Sequence, residues 1–239
     1  YQLDSELLLA KVLNKSRDEI LINLKYKLEA KKFKKFKKLL IRRKRNEPLA
    51  YIFRQKEFWK YNFFVNRDVL IPRPETEIIV EEALKLTKNK ASKIFLDIGT
   101  GSGCLIISLI NERPNSRGIA IDISKKAIKI ANINAKMHHL ENKIKFINID
   151  IDKLYFNKYD FILSNPPYIN SLNLKRLDDN VRQFEPMIAL EAGVDGLKII
   201  KKLIFKSKKL LKKKGKLIFE IGENQEIKVK KLLMKNKFY

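Results

Sequence analysis

Cysteine is all but missing from this 239-residue chain, where Cys104 stands alone. That excludes an internal disulfide framework and fits a reducing compartment. No apolar run is long enough to span a bilayer and no signal-peptide pattern is present, so no membrane contact is expected and the cytoplasm is the expected location. His138 and His139 are adjacent, with no Cys or carboxylate at ligand spacing. They suit a helix end, and no metal site is expected. The glycine-rich stretch has neither the Gly-x-Gly-x-x-Gly spacing of dinucleotide binders nor the Lys-Ser/Thr pair that holds a triphosphate. Acidic residues are also scarce: 27 Asp and Glu face 52 Lys and Arg, a net charge of +25. Such an excess can be a footprint for nucleic acid, the ribosome or an acidic protein. Here lysine far outnumbers arginine and is spread along the whole chain, which favours solvated helix faces as its main source.

What is present divides in order along the chain. Its length and its 45% hydrophobic content suffice for one full core and a smaller accessory domain. Residues 1–50 form a helical domain on this reading. Leu7, Leu8, Val12 and Leu13 recur at helical spacing, Ser16 to Glu19 offers a capping box, and no Gly or Pro interrupts before Pro48. Lys31 to Arg45 carries Phe33, Phe36, Leu39 and Leu40 as a stripe among lysines, expected to be a surface helix that buries its Phe/Leu side. Residues 51–70 turn to β-formers, with Phe58, Trp59, Tyr61, Phe63 and Phe64 around an expected hairpin turn at Lys60-Tyr61-Asn62. Pro74, Glu75 and Glu77 then suit the first turn of a helix.

From Ile94 to the end, strand and helix alternate. Ile94 to Ile98, Gly118 to Ile123, Ile144 to Asp150, Tyr159 to Leu163 and Gly215 to Gly222 read as strands, with helices between them and from Gln225 to Met234. That alternation predicts an α/β fold, a Rossmann-like doubly wound and mostly parallel sheet. In such sheets ligands bind beyond the carboxyl ends of the strands. Four strand ends carry chemistry. Asp97-Ile-Gly-Thr-Gly-Ser-Gly103 lets backbone approach a ligand closely. Asp97 is placed to take an ammonium or to orient that loop. Asp122, about twenty residues on, is placed to accept the hydroxyls of a ribose, and Asp150 lies where an adenine edge would fall. The fourth end is Ser164-Asn165-Pro166-Pro167-Tyr168. Asn165 offers a side-chain carbonyl, Pro166 a carbonyl on a fixed backbone, and Tyr168 a flat face with a polar tip. Two acceptors and an aromatic lid make a holder for the NH2 of an amide or an aminopurine. The polar stretch from Ser171 to Val181 reads as a lid over it.

The combination of Asp97 to Gly103, Asp122 and Asn165 to Tyr168 resembles a class I S-adenosylmethionine-dependent methyltransferase acting on a planar nitrogen. The flanks Leu70-Ile-Pro-Arg73-Pro-Glu75-Thr-Glu77, Phe184-Glu-Pro186 and Gly193-Val-Asp195-Gly-Leu197 are similar to those of the release factor glutamine methyltransferases, the HemK/PrmC family. The resemblance implies S-adenosylmethionine as cofactor, lined by Gly99, Thr100, Gly101, Ser102 and Gly103, with Asp122 on its ribose and Asp150-Ile151 beside its adenine. It implies a protein substrate, the Gln of the Gly-Gly-Gln loop of peptide chain release factors. Asn165, Pro166, Pro167 and Tyr168 would hold that side chain, with Arg73 and Glu75 nearby, in a monomeric enzyme that does not require nucleic acid. Departures are Phe53-Arg54 and Ala192-Gly193, where the family commonly has Gly or Gly-Gly, and Ile151 in place of an aromatic. The methyltransferase domain, residues 71–239, is expected to lack the family's closing antiparallel strands, leaving its fifth strand as an edge. Two other readings share the Asn-Pro-Pro-Tyr loop or the charge: an N6-adenine methyltransferase on DNA or RNA, and a non-catalytic RNA- or ribosome-binding module on the same fold.

Overall fold

The structure, a computed structural model, describes residues 2–23, 27–87, 91–155 and 158–238. Tyr1 and residues 24–26 of the expected helical stretch, and Tyr239, lie outside the described residues. The chain opens with α1 (Gln2–Leu13), α2 (Arg17–Ile22) and α3 (Ala30–Lys44). The capping box forms: the Glu19 amide donates to Ser16 Oγ at 3.1 Å, and the Ser16 amide to Glu19 Oε2 at 2.8 Å. Both donors would otherwise be orphans of the first turn. Arg43 of α3 reaches Asp4 of α1 at 2.7 Å. The apolar stripe of α3 differs from expectation. None of its residues is fully buried and Phe33 is half exposed, because α1 covers only part of the stripe.

α4 (Leu49–Phe53) leads into the hairpin β1 (Lys56–Phe58) and β2 (Tyr61–Phe63). Phe58 pairs with Tyr61, so the turn is Trp59-Lys60, one residue earlier than the spacing predicts. Trp59 takes a positive φ of 57°. Its neighbours stabilise that costly conformation: the Trp59 amide donates to Glu77 Oε1 at 2.8 Å, and its indole N–H to Glu112 Oε1 at 3.0 Å. Phe58 and Phe63 are buried in the main core, which fuses the hairpin to the α/β unit.

A single 3-10 turn (Pro74–Thr76) starts α5 (Glu77–Leu86), and the α/β unit begins there. Its elements are β3 (Ile94–Ile98), α6 (Cys104–Glu112), β4 (Arg117–Asp122), α7 (Lys125–Met137), β5 (Ile144–Asn148), β6 (Tyr159–Ser164), α8 (Asp179–Phe184), α9 (Lys198–Leu210), β7 (Leu211–Phe219) and α10 (Glu226–Lys235). The five strands lie in the order β5-β4-β3-β6-β7, all parallel. The sheet is doubly wound. Phe95 and Phe161 stack at 5.3 Å on the face covered by α5 and α6, while Leu96, Ile162 and Leu203 pack on the α9 face. β7 begins directly after α9, four residues before the strand read from sequence, and a bulge between Tyr159 and Phe161 absorbs the extra length. It is an outer strand of the described sheet, carrying Lys212, Lys213, Lys214 and Lys216; lysines on an edge discourage pairing with another chain. The winding reverses about β3, which opens a crevice above the carboxyl ends of β3, β4 and β6.

Candidate active site

A cavity of about 580 Å³ occupies that crevice, within the range of small-molecule sites. Its floor is the loop after β3. The amides of Gly99 and Thr100 both donate to the Ile121 carbonyl, at 2.9 and 3.0 Å, which ties the loop to β4. Gly99 and Gly101 have φ of 72° and 56°, and a Cβ on either would project into open space. Thr100 and Ser102 also line the cavity. Gly103 does not: it caps α6, where a Cβ would stand 3.0 Å from Ile107 and 3.3 Å from Ala131.

Asp122 lines the cavity at the end of β4 and accepts the Gly101 amide at 3.0 Å and the Ser124 amide at 2.8 Å. Burial raises its pKa above the usual carboxylate value despite those bonds. Asp150 and Ile151 line the far end, and Lys202 of α9 pairs with Asp150 at 2.5 Å. Asp97 is placed differently. It is wholly buried beneath the loop, away from the cavity wall, and Oδ2 accepts the Thr100 hydroxyl at 2.6 Å. Oδ1 has no partner among the described residues. Burial pushes the Asp97 pKa from 3.8 up to about 7. A carboxyl whose folded pKa exceeds its unfolded value favours folding at low pH, and that contribution is lost as pH rises from about 4 through 7. Asp97→Asn is therefore expected to melt higher than the native chain at pH 8, with the difference closing by pH 4. Equal shifts at both pH values would show that folding does not raise the Asp97 pKa.

A second hollow, about 200 Å³, opens on the other side of Asn165, lined by Arg73, Pro166, Tyr168, Leu177 and Val181 among others. Asn165 and Pro167 border both hollows. The strand end is locked by Ser164 Oγ, which donates to the Ile98 carbonyl at 2.7 Å. Asn165 Nδ2 donates to Thr76 Oγ1 at 2.8 Å, and the Thr76 hydroxyl donates to Glu220 Oε2 at 2.6 Å. The Tyr168 hydroxyl donates to the other oxygen, Glu220 Oε1, at 3.0 Å. Burial, then the Glu220 charge, pushes the Tyr168 pKa up to about 12, so this phenol is no base at neutral pH. Gln225 Nε2 ties the Tyr168 carbonyl to that of Gly196, at 3.0 and 3.1 Å. Gly196 is required there, since a Cβ would lie 2.6 Å from the Tyr168 oxygen.

Arg73 faces the second hollow while pairing with the buried Glu185 at 2.5 Å. Glu75 is exposed and lines neither hollow. The stretch read as a lid holds a 3-10 turn at Asn173–Arg176 and the start of α8, and its Leu177 and Val181 line the second hollow. Thr76, Glu220, Gln225 and Lys202 were not legible as site residues. Glu220 could have been found by the rule that singled out Asp122, an acid at a strand's carboxyl end. Among the described residues no group of His, Cys, Asp and Glu is arranged to hold a metal, and no helix is long and apolar enough to cross a membrane.

A parallel doubly wound sheet with a glycine loop and an acid at successive strand ends defines a class I methyltransferase fold. Solved structures agree at the level of fold: the catalytic domain of hMettl16 in complex with an RNA hairpin (TM-score 0.59, 21% identity, covering 72% of this chain and 66% of that one). A ribosomal protein L11 methylase from Lactobacillus delbrueckii subsp. bulgaricus gives TM-score 0.51 at 20% identity, covering 69% of each chain. A methyltransferase domain matches residues 77–239 and a PrmC N-terminal domain residues 1–53. Release factor glutamine methyltransferases of Buchnera aphidicola subsp. Baizongia pistaciae and Coxiella burnetii are each 41% identical, over 99% and 97% of this chain and 84% and 83% of theirs. This chain belongs to the release factor glutamine methyltransferase family. A bifunctional methyltransferase of Rickettsia felis is 38% identical over 98% of this chain, which spans half the length of that relative.

Proposed function

We propose that this chain transfers the methyl group of S-adenosylmethionine to the side-chain nitrogen of the glutamine in the Gly-Gly-Gln loop of peptide chain release factors. The observation that carries this reading is the shared wall: Asn165 borders both the large cavity and the smaller hollow. A nitrogen held at Asn165 from the hollow faces a donor lying in the cavity. The cavity suits that donor, because the open space over Gly99 and Gly101 admits backbone contact and Asp122 presents a carboxylate on its wall. On this reading Gly99, Thr100, Gly101, Ser102, Asp122, Asp150 and Ile151 hold the cofactor. Asp97 and Gly103 shape its loop from behind.

Bound S-adenosylmethionine supplies a sulfonium-activated methyl, so the protein's task is alignment. An amide nitrogen is a poor nucleophile because its lone pair is delocalised into the carbonyl. The Asn165 side-chain carbonyl and the Pro166 main-chain carbonyl would accept its two N–H bonds, favour a pyramidal nitrogen and aim the lone pair at the methyl. Tyr168, protonated and turned to Glu220, contributes its ring face. No general base is needed before transfer; the methylated nitrogen would then give up one of its two protons to water, leaving a neutral N-methylamide. The reading carries with it a cytoplasmic, monomeric enzyme.

Asp122→Ala is expected to weaken S-adenosylmethionine binding about 30-fold, the scale of losing hydrogen bonds to a charged acceptor. Calorimetric titration checks this, and unchanged affinity would remove Asp122 from the site. The function itself is tested by methyl transfer from labelled cofactor to a release factor, beside its Gln-to-Ala loop variant and beside DNA and RNA. Label on the intact factor alone is expected. Label on nucleic acid would instead make the loop a holder for a flipped adenine. Cofactor binding without transfer to any of them would favour the non-catalytic module.

A further inference from the structure

We infer that Glu220 and Thr76 are positioning residues that set the polarity of the acceptor at Asn165, and so make the site accept an NH2 group. The inference rests on the proposed transfer to a glutamine amide and extends it to residues that touch neither reacting atom. The two faces of a side-chain amide are alike in shape and opposite in chemistry, one being a carbonyl oxygen and the other an NH2. An Asn free to turn over would present a donor to the substrate's NH2 half of the time, and two donors facing each other cannot bond.

The chain of hydrogen bonds removes that freedom. A carboxylate only accepts. Thr76 has one hydroxyl proton, and it is directed at Glu220 Oε2, 2.6 Å away. The Thr76 oxygen is then left with lone pairs alone toward Asn165, so only the NH2 face can approach it, as it does at 2.8 Å. Asn165 Oδ1 is thereby turned away from Thr76, on a side chain that borders both hollows. The second oxygen of Glu220 takes the Tyr168 hydroxyl at 3.0 Å. One carboxylate thus holds the polar end of Tyr168 directly and that of Asn165 through Thr76, and leaves a carbonyl and a ring face for the substrate. Thr76 is 2% exposed, so water does not compete for its hydroxyl.

The test uses four variants of the full chain: Thr76→Val, Thr76→Ser, Glu220→Gln and the double variant Thr76→Val/Glu220→Gln. Thr76→Val keeps the shape and deletes the relay. Glu220→Gln puts an NH2 among groups that need an acceptor. Each is expected to lower kcat on the release factor about 30- to 100-fold, at or below the low end of the ~10²–10³-fold cost of removing a preorganised polar group, because Asn165 itself stays in place. Affinity for S-adenosylmethionine should stay within about threefold, and KM for the release factor should move less than kcat. Because both residues act through one relay, the double variant should be no more than about twofold worse than the worse single one. Thr76→Ser, which retains the hydroxyl, should recover most of the activity. A kcat within about threefold of native for Thr76→Val, multiplicative losses in the double variant, or a parallel loss of cofactor affinity would each overturn the relay.

A second measurement does not depend on the substrate. In 15N-labelled protein, the Asn165 side-chain NH2 should exchange slowly with solvent in the native chain and in Thr76→Ser. It should exchange quickly in Thr76→Val and Glu220→Gln. Equal exchange in all four would overturn the relay even if release factor is methylated. Absence of methyl transfer by the native chain would sink the glutamine reading while this measurement still decides the relay.

Discussion

Replacing Asn165 by alanine is expected to lower kcat for methyl transfer by about 10²–10³-fold or more, the range found when one preorganised polar group is removed from a reacting centre. Affinity for S-adenosylmethionine should remain nearly intact. The division has a geometric origin. Asn165 is one of many residues on the wall of the large cavity, whose other lining comes from the loop after β3, the ends of β4 and β5, and the segments 68–76 and 186–202. On the reacting nitrogen, however, only the Pro166 carbonyl would share its task, and one acceptor cannot hold an NH2 against rotation. A truncated side chain also leaves Thr76 and Glu220 without the group they orient. Single-turnover transfer to release factor, measured beside calorimetric cofactor binding, separates the two effects. Equal loss of both would mean that Asn165 serves the cofactor rather than the acceptor.

Arg73→Ala is expected to destabilise the fold by roughly 3 kcal/mol, the low end for breaking a buried ion pair, because Arg73 retains some contact with solvent. Glu185 is the reason. Its side chain is 2% exposed, and Arg73 at 2.5 Å is its one ion-pair partner among the described residues. Its other oxygen takes the Ile71 amide at 3.1 Å. Removing the guanidinium leaves a charge in the interior with half its satisfaction. For a chain of this size the loss corresponds to a fall in melting temperature of about 6–12 °C. Replacing both residues by methionine should recover most of it, since the pair's desolvation cost disappears with the pair. Thermal and urea unfolding of the single and double variants checks this. A single variant within about 1 kcal/mol of native would mean that the Glu185 site opens to water. Since Arg73 also lines the smaller hollow, its loss of activity must be read at a temperature where the variant is folded.

The parts of this architecture that obey local rules were legible from residues alone. The apolar runs of β3 and β6 end in glycine and in proline, those of β4 and β5 run into Asp122 and Asp150, and these endings became the strands' carboxyl ends. Ser124 sits where a helix cap belongs and accepts the Ala127 amide at 3.2 Å. Asn165 and Asp122 stand out because acceptors at strand ends face ligands in this class of sheet. What stayed hidden depends on distant partners. The hairpin turn moved by one residue because Glu77 and Glu112 stabilise Trp59 in a conformation that its own chemistry disfavours. Asp97 was a candidate ligand until the loop above it proved to cover it completely. Thr76 was legible only as part of a helix start, because its importance lies in Glu220, 144 residues away.

That separation has a consequence for how the protein comes to life. Of the 31 residues that line the large cavity, 20 precede β6 in the chain. The carboxylate that orders Asn165 and Tyr168 arrives only with Glu220, just past β7, after α9 has crossed back to lay that strand beside β6. A chain emerging from its amino end would hold much of the donor's berth well before it could present a correctly turned acceptor. Competence to dock the methyl donor would precede competence to spend it, and the step between them is the seating of one lysine-rich strand.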